Sequence, residues 1–189
     1  MGKNDSLINT INSTFEKLQE NMKLINFDDF KRLEEYIIKA NRIFVTGKGR
    51  SSLAGMMFAM RLVQKGYKIY FISIEMTDLV PPILEGDLLI AISGSGETSE
   101  VLSVARATKE SNGNVVAITS WKDSTLAKIA DETIKIVGRE KAKEQSFLKR
   151  GVKGSPEPPG AYFEILSTIV LESFATQIKP KKSQQNRST

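Results

Sequence analysis

Between residues 42 and 137 the chain alternates two textures. Short apolar runs (RIFVTG, YKIYFIS, DLLIAIS, NVVAITS and ETIKIV) are separated by longer segments with apolar residues at three- and four-residue steps. The short runs predict five strands, at 42–47, 67–73, 87–93, 114–120 and 132–137. The segments between them predict helices: SSLAGMMFAMRLVQKG, stopping at Gly66; residues 97–111, stopping near Gly113; and the short stretch from Ser124 to Ala130. Strands that are apolar on both faces and joined through helices belong to a parallel sheet covered on both sides. The exception is the link between the second and third strands, which carries Pro81 and Pro82.

The flanks read differently. Residues 4–24 and 27–40 predict two amphipathic helices. Leu7, Ile8, Ile11, Phe15 and Leu18 recur along the first, and Phe30, Leu33, Tyr36 and Ile37 along the second, with Asp28 placed to cap it. Neither helix carries chemistry, so packing or dimerisation is their expected role. Residues 138–159, with Gly151, Gly154, Pro156, Pro158 and Pro159, predict a long irregular stretch of the kind that is functional or mobile. AYFEILSTIVLESFATQI then predicts a helix with Phe163, Leu166, Val170, Phe174 and Ile178 on one face. Its wide apolar arc suggests burial, including at a subunit contact. Residues 181–189 are expected to be disordered. The expected organisation is one domain over 1–178, with a helical extension at 1–40 and an α/β core at 41–178, followed by a basic tail at 179–189. The expected fold is a three-layer αβα sandwich around a five-stranded parallel sheet, with N-terminal helices added.

Composition narrows the chemistry. Of 189 residues, 40% are apolar, enough for a sizeable core in a single domain. No apolar run is long enough to cross a bilayer, and MGKNDSLINT lacks the apolar core of a signal peptide, so a cytoplasmic location is expected. The chain has no cysteine and no histidine. Disulfides, thiolate chemistry, Ser-His pairs and the usual transition-metal ligands are therefore excluded, and proton transfer falls to Glu, Asp, Lys, Tyr or water. The net charge of +5 is concentrated in KPKKSQQNRST and REKAKEQSFLKRGVK; the remainder is slightly acidic. The tail has no aromatic residue, which favours a solvated segment over a nucleic-acid surface.

Two segments stand out at predicted strand-to-helix junctions: TGKGRSS at 46–52 and SGSGETS at 93–99. In open parallel sheets ligands bind beyond the carboxyl ends of the strands. A helix start there offers free N–H groups and the positive end of its dipole, glycines let the backbone approach closely, and hydroxyls add donors. Two such loops on adjacent strands would converge on one dianionic phosphate. Other readings stand beside this one. Ser95 or Thr98 could be an ordinary N-cap. TGKGRSS contains G-x-G-x-x-S, and Glu75 follows the second strand where a dinucleotide site places an acid, but a dinucleotide site has no use for the second hydroxyl-rich loop. It is not a P-loop, because Lys48 is followed by Gly49. Trp121, after the fourth strand, either borders the site or packs.

The segments GKGRSS, FAMRL, EGDLLIAISGSGETSEVLSVA and PPGAYFEILS, in this order and spacing, resemble the sugar-isomerase (SIS) domain superfamily and, within it, the 6-phospho-3-hexuloisomerase family. The resemblance spans roughly residues 30–178. It implies a five-stranded parallel sheet between helices, a homodimer or homotetramer, no metal or nucleotide cofactor, and interconversion of a 3-hexulose 6-phosphate and fructose 6-phosphate. It implies phosphate contacts from Ser51, Ser93, Ser95 and Thr98 and from the backbone of Gly94 and Gly96, with Arg50 beside the sugar and Glu164 as base. Gly49, Ser52 and Glu97 are further candidates for sugar contact; Glu97 also reads as the first residue of its helix, stabilising the helix start. The implied partner is a sugar phosphate, with no nucleic acid and no membrane. The chain departs from the family pattern in its KPKKSQQNRST ending and in having no histidine. A non-catalytic phosphosugar-binding module, or an isomerase of another sugar phosphate, fits the same residues.

Overall fold

Five strands, β1 (Ile43–Gly47), β2 (Ile69–Ile72), β3 (Leu88–Ile92), β4 (Asn114–Thr119) and β5 (Glu132–Lys135), form one sheet in the order β2-β1-β3-β4-β5. Every neighbouring pair is parallel. The helices are α1 (Lys3–Met22), α2 (Asp28–Lys39), α3 (Arg50–Gln64), α4 (Ser99–Glu110), α5 (Thr125–Ile129) and α6 (Ala161–Gln177). The computed structural model describes residues 3–73, 80–138 and 161–181. Glu75, nearly all of the expected irregular stretch at 138–159, and residues 182–189 lie outside the described residues.

Alternation along the strands builds the three layers. Ile43, Val45, Leu88, Ile90, Val116 and Ile118 face one side of the sheet and pack with Leu33 and Ile37 of α2, Phe58 and Leu62 of α3 and Phe163 and Leu171 of α6. Phe44, Leu89, Ala91, Val115 and Ala117 face the other side, against Val101, Leu102 and Ala105 of α4 and Leu126 of α5. The three inner strands carry apolar side chains on both faces because both faces are covered. The edge strands β2 and β5 are only half-buried. Each fully buried side chain of this kind stabilises the fold by about 1.5–3 kcal/mol.

Three expectations need correction. Asp28 does not cap α2: it is the first helical residue after Phe27, and its N–H donates to Asn26 Oδ1 at 3.2 Å. Asn26, whose amide also holds Asp29 at 2.7 Å, does the work assigned to Asp28. α4 starts at Ser99 rather than at residue 97, which leaves Glu97 outside the helix. Lys181, placed in the expected disordered tail, is packed: its N–H donates to the Lys65 carbonyl at 2.8 Å and its Nζ to that of Ala40 at 3.1 Å. Among the described residues no helix is long and apolar enough to cross a membrane.

Candidate active site

The sheet order reverses direction between β1 and β3: the chain leaves β1 towards β2 on one side and β3 towards β4 on the other. Such a switch point leaves a crevice at the carboxyl ends of the two strands. Gly47 ends β1 directly opposite Ile92, the last residue of β3. Both singled-out loops therefore leave the sheet at the same rim, side by side.

The first turn runs from Gly47 into α3. A Cβ on Gly47 would lie 2.9 Å from backbone atoms of Ser51 and Ser52, so only glycine lets β1 run this close to the helix start. Gly49 occupies the N-cap position at φ +59°, with open space where a Cβ would be. Ser51 is buried in the first turn of α3, while Lys48, Gly49 and Arg50 are exposed. Ser52 is tied back locally, its hydroxyl donating to the Gly49 carbonyl at 2.6 Å.

The second turn is built differently. Ser93 continues the ladder, its N–H donating to the Ile118 carbonyl at 3.0 Å. Its hydroxyl and that of Thr98 share a hydrogen bond at 2.9 Å across the turn. The Gly96 N–H donates to the Ser93 carbonyl at 3.0 Å and approaches the Ser93 hydroxyl at 3.2 Å, so Gly96 serves the turn by its φ of +67° and not by a spare donor. The Ser95 hydroxyl accepts from the Glu97 N–H at 3.2 Å. Thr98 sits at the N-cap position of α4, yet its side chain makes no capping bond. A hydroxyl that only capped the helix would accept from an N–H of the first turn; that of Thr98 turns inward to Ser93 instead.

Two ion pairs involve the first turn. Lys48 pairs with Glu100 in the first turn of α4, bridging the two turns. The Lys48 ammonium donating to it holds the Glu100 carboxyl down to about 2. Arg50 Nε lies 3.8 Å from Oε2 of Glu164, in the first turn of α6. α3 and α6 pack side by side, which brings this carboxylate, only 7% exposed, to the start of α3. Glu164 and Arg50, chosen from widely separated segments, are thus neighbours in space. Trp121 is half-buried beyond β4, with its backbone N–H donating to Thr119 Oγ1 at 3.4 Å.

Lys48 and Glu100 are not among the site residues expected from the sequence. The available signal for Lys48 was its place between the two glycines of TGKGRSS; nothing local marks Glu100 as its partner. Among the described residues, no cluster of acids is arranged to hold a metal ion.

The SIS domain family model matches residues 36–153. The chain is 31% identical over 166 residues to a 3-hexulose-6-phosphate isomerase of Bacillus subtilis, covering 88% of this chain and 85% of the relative. It is 38% identical over 146 residues to a 3-hexulose-6-phosphate isomerase of Methanocaldococcus jannaschii, covering 77% and 72%. The chain belongs to the SIS domain family. A crystal structure of a Methanococcus jannaschii protein, described as inferring a molecular function of 3-hexulose-6-phosphate isomerase, superposes with a TM-score of 0.64 at 36% identity, over 80% of this chain and 76% of that one.

In this SIS domain the rim combines two chemistries. Hydroxyls and helix starts at the β1 and β3 ends suit a bound oxyanion. A buried carboxylate beside a guanidinium suits proton transfer next to a developing negative charge.

Proposed function

We propose that this chain is a phosphosugar isomerase that interconverts a 3-hexulose 6-phosphate and fructose 6-phosphate. The single observation that carries the reading is the position of Glu164: a buried carboxylate 3.8 Å from Arg50, at the same helix start as the first hydroxyl-bearing turn. The 3-hexulose-6-phosphate isomerases among its relatives support the choice of substrate.

In the proposed reaction the phosphate is held by Ser51, Ser93, Ser95 and Thr98 with the Gly94 backbone, the Gly96 N–H being committed to Ser93, and does not react. Its binding orients the sugar. Glu164 takes the proton from the hydroxyl-bearing carbon next to the carbonyl. The C–H electrons form the carbon–carbon double bond, and the carbonyl oxygen becomes an oxyanion that Arg50 stabilises. The hydroxyl proton passes from O2 to O3, and Glu164 returns its proton to C3. The atoms are unchanged and the carbonyl has moved by one carbon. One carboxylate on one face of the enediolate suffices for both carbon proton transfers.

We also propose a homo-oligomer. α3 and α6 expose Leu53, Met56, Met57, Met60, Ile165 and Ile169, with Leu53 at 60% and Met60 at 57%. Exposed apolar surface of this extent on packed helices suits a second copy of the chain. Light scattering should find an assembly larger than one chain, and Met60→Glu should shift it towards smaller species.

Solvent deuterium tests the chemistry. With fructose 6-phosphate in D2O, the wild-type protein should incorporate deuterium at the sugar carbon, and Glu164→Gln should not. Thermal stabilisation by fructose 6-phosphate without deuterium uptake would replace the isomerase with a non-catalytic binding module.

A further inference from the structure

The turn 93–98 also closes the start of α5. The first four N–H groups of a helix have no partner within it unless a residue at its boundary supplies one. In α5 the N-cap Ser124 N–H reaches the Trp121 carbonyl at 3.2 Å and the Ala127 N–H reaches the Ser124 hydroxyl at 3.3 Å. The remaining two are met from the turn. The Leu126 N–H donates to the Gly96 carbonyl at 3.0 Å, and the Thr125 N–H donates to Oε1 of Glu97 at 2.8 Å. The two segments also touch tightly: a Cβ on Gly96 would lie 2.2 Å from Ser124 Oγ.

We propose that Glu97 is a positioning residue that latches the phosphate-binding turn to α5, and that it does not contact the sugar. The inference rests on the phosphate role assigned to this turn above. Glu97 lies before the N-cap of α4, where a carboxylate adds little to that helix, and its carboxylate is committed to an N–H 28 positions away in sequence. The bond is exposed, so its loss costs the fold little. What it governs is the freedom of a short turn whose order an incoming oxyanion would otherwise have to impose.

The latch requires reach and an acceptor oxygen, not charge. Glu97→Gln keeps both; Glu97→Asp keeps the charge and loses the reach. The donor can be removed as well. Thr125 is the first helical residue of α5, a position where proline is tolerated, and Ser124 before it is extended at ψ 161°, as a residue before proline prefers. Thr125→Pro therefore deletes the N–H and spares the helix.

Calorimetric titration of inorganic phosphate into the full chain decides the matter. Wild type and Glu97→Gln should bind alike. Glu97→Ala, Glu97→Asp and Thr125→Pro should each bind about three- to tenfold more weakly, and Glu97→Ala combined with Thr125→Pro no more weakly than either alone. In turnover, the weak binders should show a raised KM with kcat retained. Unchanged phosphate affinity in both Glu97→Ala and Thr125→Pro overturns the latch. So does affinity retained by Glu97→Asp and lost by Glu97→Gln, which would assign the effect to charge. A fall in kcat without a rise in KM would return Glu97 to the sugar. A wild-type chain that binds no phosphate sinks the phosphate reading of the turn, and the latch with it; loss of the latch alone leaves that reading standing.

Discussion

The two turns at the rim look alike as strings of glycine and hydroxyl, yet one is open and the other clamped. In the first, Lys48, Gly49 and Arg50 are exposed, and a Cβ on Gly49 would meet nothing within 4 Å. In the second, Ser93, Gly94 and Gly96 are buried, and Gly96 is wedged against Ser124 and Thr119. The cause is their neighbours. The β3 turn lies beside β4, whose trailing segment donates the Ser120 N–H to the Gly94 carbonyl at 3.1 Å and the Leu126 N–H to the Gly96 carbonyl at 3.0 Å. The first turn makes its outward contacts through long charged side chains, Lys48 to Glu100 and Arg50 to Glu164. Under the proposed reaction, a preformed cradle beside an adjustable pair of cations divides labour sensibly: the cradle would hold an oxyanion whose shape is constant, while the cations would follow charge that develops during the reaction.

The largest test of that division is Glu164→Gln, which removes the partner of Arg50. It should lower kcat about 10²–10⁴-fold with phosphate affinity nearly kept, measured by steady-state turnover beside phosphate titration. A parallel loss of phosphate affinity would show that Arg50, once freed from Glu164, no longer leaves the phosphate to the hydroxyls. Gly96→Ala comes next: overpacking against Ser124 adds about 1–3 kcal/mol to about 1–3 kcal/mol of backbone strain at positive φ. Thermal unfolding should register a large loss, together with weaker phosphate binding. Gly49→Ala should carry the strain alone, about 1–3 kcal/mol, because its Cβ points into open space. Equal losses at the two glycines would erase the contrast between clamped and open.

The smallest effect belongs to Lys48→Met. Partly exposed ion pairs contribute about 0–1 kcal/mol. The Glu100 carboxyl is depressed from 4.5 to about 2 in the folded chain, chiefly by the Lys48 hydrogen bond. Its contribution is therefore fully present above about pH 4.5 and disappears as the pH falls through about 2. Acid unfolding followed between those limits should lose part of its pH dependence in Lys48→Met. An unchanged profile would show that the bridge between the turns contributes nothing in solution.

Much of this architecture was legible along the chain. The five apolar runs became five strands within a residue or two, the largest differences being Tyr67 and Lys68 before β2 and Ile136 and Val137 beyond β5. Ser124 was read as the start of a short helix and is its N-cap. The site was legible only in part. Glu97 read as the first helical residue because an acid before an apolar periodic run is a usual helix opening; its acceptance of the Thr125 N–H depends on β4 lying next to β3, which local spacing does not encode. The apolar stripe of α1 was visible too, but whether it faced the core was not: Leu18 is buried, while Leu7 and Phe15 stand 61% and 59% exposed.

Apolar spacing and the glycines at the strand ends by themselves determined the layers, the parallel sheet and the presence of two hydroxyl-bearing turns. These depend on periods of two and 3.6 residues and on backbone conformations that neighbours in sequence impose. Which turn is clamped, which carboxylate meets Arg50 and which meets Lys48 were decided only by the tertiary structure. Those partners are distant in sequence, and the order of strands in the sheet, together with the seating of α6 against α3, brings them within reach.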